Sequence, residues 1–158
     1  MGVLGVMDGY LISFLASGRL DSVGAYIAGA DVLAEAAREV GASFLDAPIS
    51  GGVERAADGT LTIMVGGEQE AFESVKPALD VMGATVRHLG PTGAGTAVKL
   101  VNQLLCAIHS EAAAEAMLLG IRAGADPRTL LEILTTSWGQ SFMLSRNAPV
   151  MIERAFEN

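Results

Sequence analysis

One stretch constrains this chain more than any other. From Thr96 to Ala125 it runs without proline, and the next proline is Pro127. Within it Val98, Val101, Leu105, Ile108, Ala112, Ala116 and Leu119 recur at spacings of three and four. That is the period of one helical face. The pattern predicts a single helix of roughly 25 to 30 residues, about 40 Å long at 1.5 Å per residue. A small domain has no need of a helix so long. It is expected to join two domains or to pack on a partner chain.

The sequence on its N-terminal side has a different texture. "SFLDAPIS" reads as a short strand ending at Pro48, and "GGVERAADG" as a loop with a short helical turn. "TLTIMVGG" is rich in β-branched residues and bounded by glycines, so a strand is predicted. "EQEAFESVKPALDVMG" places Phe72, Val75, Leu79 and Met82 at helical spacing, with Pro77 as a bend. "ATVRHLG" reads as a further strand. Before them, "DVLAEAAREVG" has Asp31 as an N-cap, alanine-rich helix formers and Gly41 as a stop. A helix followed by β-loop-β-α-β is the order of the second half of an α/β sheet. Residues 1–30, punctuated by six glycines, show no clean period.

On the C-terminal side, "DPRTLLEILTTS" predicts a helix capped by Asp126, with Pro127 in its first position. "SFMLSRNAPVMIERAFEN" predicts another. The expected fold is thus a partial Rossmann-type α/β sheet, a long interdomain helix and the start of an all-α domain. The expected domains are residues 1–90, of which 1–30 are divergent, and residues 91–158.

Composition narrows the function. The 158 residues are 51% hydrophobic and carry a net charge of −8. With ten basic residues scattered singly, no basic stripe exists to displace counterions from nucleic acid or to meet an anionic membrane. The single cysteine, Cys106, excludes a disulfide framework and fits a cytoplasmic setting as a small buried hydrophobe. His88 and His109 have no second ligand at helical spacing, so no metal site is expected. No run of about 18 uninterrupted apolar residues suggests a membrane span. The apolar N-terminus lacks the basic flank of a signal peptide.

Two stretches could carry chemistry. "DAPISGG", residues 46–52, brings a strand into a turn of Ser50, Gly51 and Gly52. Successive glycines let backbone N–H groups approach a small anion, and the serine adds a donor. A carboxylate is the natural guest, and a tight turn with a capping serine is the plain alternative. "GAGTAVKLVNQ", residues 93–103, puts Lys99 and Asn102 on one helical face. A lysine desolvated among apolar neighbours suits proton transfer, and an asparagine beside it can hold a substrate hydroxyl. The plain alternative is a lysine snorkelling to solvent.

Taken together, the stretches resemble the two signatures of the β-hydroxyacid dehydrogenase family. Residues 44–67, "FLDAPISGGVERAADGTLTIMVGG", are similar to its substrate-binding signature. Residues 93–103 are similar to its catalytic signature, G-x-G-x-x-x-K-x-x-N. The family includes 3-hydroxyisobutyrate, tartronate semialdehyde and threonate enzymes. The resemblance implies hydride transfer between a small hydroxy acid and NAD or NADP. It implies Ser50, Gly51 and Gly52 at the substrate carboxylate, Lys99 as general acid and base, and Asn102 orienting the substrate. Ser141 and Asn147, in "WGQSFMLSRNAPVM", resemble a segment that closes over the substrate, with helix capping and surface polarity as alternatives.

The chain departs from that family at its start. No G-x-G-x-x-G follows a first strand, so the cofactor-binding residues are unassigned. A later Lys-Asp pair of the family is also missing. The chain therefore resembles the middle of a longer enzyme, expected to be impaired by itself. The alternative is a catalytically silent remnant serving as a helical dimerisation or hydroxy-acid-binding module. Unpaired sheet edges and the long apolar stripe predict a homo-oligomer in either case.

Overall fold

A computed structural model of the chain describes residues 21–154, with side chains from residue 28. The unpatterned opening of the chain, up to residue 20, lies outside the described residues. The first helix, α1 (Asp21–Glu39), begins ten residues earlier than Asp31 would set it. Gly29 sits inside the helix with open space where a Cβ would lie. Its helix-weakening effect, about 1 kcal/mol, is too small to stop the run. Gly41 does end it, at φ 71°, its N–H donating to the Arg38 carbonyl.

The sheet is built around β3 (Thr62–Gly67), buried along nearly its whole length. On one edge lie β1 (Leu45–Asp46) and β2 (Ile49–Ser50), both antiparallel to it. Leu45 faces Gly67, Asp46 faces Gly66, Ile49 faces Ile63 and Ser50 faces Thr62. The register is constant, so β1 and β2 are one strand interrupted at residues 47–48. The Met64 N–H donates to the Pro48 carbonyl across the gap. Pro48 has no N–H to return. On the other edge β4 (Thr85–Gly90) runs parallel to β3, joined to it through α3 (Gln69–Met82). This is a β-α-β unit with an antiparallel edge, a partial Rossmann-like sheet. A short helix, α2 (Gly52–Ala57), bridges β2 and β3.

Leu61, Ile63, Val65, Phe72, Leu79 and Val86 form the core of this part. Burying a side chain such as Ile63 or Val65 contributes about 1.5–3 kcal/mol. Of the four apolar positions at helical spacing in α3, Phe72 and Leu79 are buried, whereas Val75 and Met82 are exposed. Two six-residue strands and a short interrupted edge cover only a narrow stripe of that helix. His88 stacks on Phe72 and lies 2.7 Å from the Gly67 carbonyl.

The long helix is present: α4 spans Ala94–Arg122, 29 residues. The chain divides into two compact units inside it, Met1–Asn102 and Gln103–Asn158. In the second unit α4 is followed by α5 (Pro127–Thr136) and α6 (Phe142–Glu153). Their core is Ala113, Met117, Leu144 and Ala148, flanked by Leu130, Leu131, Leu134 and Ile152.

The apolar stripe that announces α4 in the sequence is not the face that packs. Val98, Val101, Leu105, Ile108 and Leu119 are exposed. The buried positions are Gly95, Ala113 and Met117. Close helix contact is made here by small residues and one flexible thioether. Among the described residues α4 is the one helix long and apolar enough to cross a membrane by length and composition alone. Its polar residues, Lys99, Asn102, Gln103, His109 and Ser110 among them, still leave no uninterrupted apolar run of about 18 residues.

Candidate functional site

The candidate site lies at the junction of β1, β2 and the start of α4. Asp46 ends β1 and is buried, 8% exposed. Its carboxylate receives three hydrogen bonds from the beginning of α4. The Gly93 N–H donates to Oδ1 at 2.8 Å. The Thr96 N–H donates to Oδ2 at 2.7 Å and the Thr96 hydroxyl to the same oxygen at 3.0 Å. The first N–H groups of a helix have no partner within it. Asp46 supplies one from across the sheet and brings negative charge to the positive end of the helix dipole.

Glycine makes the approach possible. A Cβ on Gly95 would collide with the Met64 carbonyl oxygen and lie 2.9 Å from that of Asp46. From the strand side, a Cβ on Gly66 would strike the Asp46 carboxylate and lie 2.9 Å from the Ala94 nitrogen. Helix and sheet meet backbone to backbone.

One turn into α4, Lys99 is half-buried. Its Nζ donates to the Ile49 carbonyl at 2.6 Å. Ile49 directly precedes Ser50, so the amine lies beside the chain that enters residues 50–52. Gly51 has φ 145° and Gly52 φ 67°, conformations that glycine adopts and other residues resist. These two positions open α2, which takes no side-chain cap. Ser50 and Gly51 are half-buried and Gly52 is exposed. Asn102, three residues beyond Lys99, is also half-buried and ends the first compact unit.

Ser141 and Asn147 belong to the second unit. The Ser141 hydroxyl caps α6, accepting from the Leu144 N–H at 3.1 Å. The Asn147 amide donates to the Ser110 hydroxyl at 3.1 Å, tying α6 to α4.

The chain matches two family models. Residues 4–90 match the NAD binding domain of 6-phosphogluconate dehydrogenase, more than half of the chain. Residues 93–158 match the NAD-binding domain of NADP-dependent 3-hydroxyisobutyrate dehydrogenase. The chain belongs to the 3-hydroxyisobutyrate dehydrogenase-like family. It is 46% identical over 112 residues to 2-(hydroxymethyl)glutarate dehydrogenase of Eubacterium barkeri, covering 71% of this chain and 37% of that one. It is 42% identical over 125 residues to L-threonate dehydrogenase of Cupriavidus necator, covering 78% and 42%. Among solved structures, 3-hydroxyisobutyrate dehydrogenase from Salmonella typhimurium superposes with a TM-score of 0.76 at 37% identity. That match covers 82% of this chain and 46% of the other. The Mycobacterium tuberculosis 3-hydroxyisobutyrate dehydrogenase, solved with L-serine, gives 0.75 at 32% identity, covering 84% and 48%. The chain thus spans less than half the length of each of these relatives.

Family membership implies NAD or NADP. The described residues do not fit the pyrophosphate of such a cofactor. "GPTGAG", residues 90–95, is the glycine-rich turn between a strand and a helix that most nearly suits a phosphate. There the Gly93 and Thr96 N–H groups already donate to Asp46. A carboxylate of the chain itself occupies the position an anion would take.

Asp46 is the residue that sequence reasoning passed over. An acid two residues before a proline at a strand end gives no sign of which donors it meets. Its partners lie 47 and 50 residues away, and no local pattern connects them. The pairing of "DAPISGG" with "GAGTAVKLVN" was the one available signal.

Proposed function

We propose that residues 46–102 carry the substrate site of an NAD(P)-linked hydroxyacid oxidoreductase acting on a small hydroxy acid. One observation supports this reading above others: the Lys99 amine lies 2.6 Å from the carbonyl that precedes residues 50–52. A proton-transfer group and an anion-binding turn thereby become neighbours. In this reading Ser50, Gly51 and Gly52 hold the substrate carboxylate through N–H groups and the serine hydroxyl. Lys99 takes the proton from the reacting hydroxyl in oxidation and returns it in reduction. Asn102 orients the same hydroxyl. The oxidant that family membership implies is NAD or NADP, and the described residues build no cradle for its pyrophosphate.

The test is Lys99→Ala in the full chain. Loss of general acid-base catalysis lowers turnover by about 10²- to 10⁴-fold. Binding of a small hydroxy acid such as L-serine, followed by NMR, is expected to persist. Turnover at the unsubstituted rate would overturn the role of Lys99.

A second reading is favoured by the occupied helix start at Asp46: a module that binds hydroxy acids without reacting them, or that pairs through α4. Titration of NADH and NADPH fluorescence separates the two. Saturable binding supports the autonomous dehydrogenase. No binding at any usable concentration leaves the binding module. Light scattering reads the oligomer expected from the exposed stripe of α4.

A further inference from the structure

We propose that Asp46 is a positioning residue for Lys99: it fixes the first turns of α4 against the sheet and thereby sets where the Lys99 amine stands relative to residues 50–52. The proposal deepens the reading of the site given above and rests on it for its functional meaning. Its geometry stands independently.

Three observations carry it. First, Asp46 is the buried acidic group of the described residues, and all three hydrogen bonds given to its carboxylate come from Gly93 and Thr96. A buried carboxylate is costly unless so satisfied. Both of its oxygens are engaged, so rotation of the group would break a bond on either side. Second, Asp46 and Ile49 belong to one interrupted strand in a single register with β3. The residue that holds the helix and the carbonyl that receives the Lys99 amine are therefore parts of the same sheet edge, three residues apart. Third, the helix start has little room to slide toward the sheet, because not even a Cβ on Gly95 would fit beside the Met64 and Asp46 carbonyl oxygens. Lys99 is three residues beyond Thr96, on the same side of the helix. A shift of the capped turn moves the amine with it. Misplacement of a reacting group by about 1 Å can cost about a hundredfold in rate.

The position differs from a catalytic one. Asp46 touches α4 and the sheet, and its carboxylate faces the helix start. It acts through Lys99.

The experiment measures the reactivity of the Lys99 amine directly, without relying on turnover. The full chain is acylated with limiting acetic anhydride and the rate at each lysine is read by mass spectrometry. Lys76, which pairs with Asp80 on the solvent side of α3, serves as the internal reference. In Asp46→Asn the Lys99 rate relative to Lys76 is expected to rise about tenfold, the size of a lost helix cap. Thr96→Val removes only the hydroxyl bond and is expected to give a smaller rise. Thr96→Ser keeps the donor and is expected to restore the unsubstituted rate. An unchanged Lys99-to-Lys76 ratio in Asp46→Asn overturns the proposal. Should Asp46→Asn not fold, the Thr96 pair decides it: equal ratios in Thr96→Val and Thr96→Ser overturn it, and a rise confined to Thr96→Val supports it. Where turnover is measurable, Asp46→Asn is expected to lower kcat with KM little changed. Failure of the Lys99→Ala test would remove the catalytic role of the amine while leaving this coupling to be read from acylation alone. The two failures are thus distinct.

Discussion

Among the described residues two helices begin at an aspartate cap, and the two caps are built in opposite ways. At α5, Asp126 stands just before the helix and accepts from the Thr129 N–H at 2.9 Å, three residues away. It is exposed, and Pro127 supplies the first helical φ. At α4 the cap is Asp46, buried, on another strand, with partners 47 and 50 residues away. The first cap starts a helix. The second starts a helix and also fastens it to the sheet beside the residues proposed to bind substrate. Local chemistry sets a helix boundary, whereas a long-range bond sets a position.

Substitution at the close approach should separate the two starts most strongly. Gly95→Ala puts a Cβ against the backbone oxygens of Met64 and Asp46, which cannot rotate away. In an exposed helix the same exchange gains up to about 1 kcal/mol. Here it is expected to cost about 3 kcal/mol or more, as overpacking against fixed backbone does. Urea unfolding followed by circular dichroism measures it. A stabilised Gly95→Ala would show that α4 does not dock as closely as described.

Next comes the cap itself. Asp46→Ala leaves the Gly93 and Thr96 donors without their acceptor in a buried place. The expected loss is about 2–3 kcal/mol. Asp126→Ala, whose donor groups turn to water instead, is expected to shift the same urea midpoint less. Equal shifts for the two variants would erase the contrast between buried and exposed caps.

The same contrast explains what the sequence made legible. The α5 cap, the α6 cap at Ser141, the strand at residues 62–67 and the existence of α4 all follow from neighbours a few residues apart. So did Lys99 and Asn102, which share a helical face by spacing alone. What was not legible depends on contacts distant in sequence. The start of α1 lies upstream of Asp31 because a tolerated glycine does not break a helix. The packing face of α4 is not its most apolar one, because small residues at Gly95 and Ala113 admit neighbours that larger ones would exclude. Asp46 gave no local sign of its partners. The two motifs together hinted at a shared site, yet the acid at the head of the first motif turned out to hold the start of the second.

The smallest effect is the pH response of the local cap, and it tests whether the α5 start is as simple as its sequence suggests. The Asp126 carboxyl is held below its ordinary value of 3.8, chiefly by the Thr129 N–H and then by the Thr129 hydroxyl. The unfolded chain, lacking those donors, takes up the proton first as pH falls. The contribution of the cap is therefore complete above the ordinary value. It fades as pH drops toward the lower folded value. Because the group is exposed, solvent and salt screen it and the change in stability is slight. The sensitive readout is the Thr129 amide proton, whose chemical shift should move with a midpoint below 3.8. In Asp126→Asn that movement should vanish. A midpoint at or above the ordinary value would mean that the Thr129 bonds do not favour the charged carboxylate, and the α5 start would then owe its position to Pro127 and to packing of Leu130 and Leu131 rather than to its aspartate.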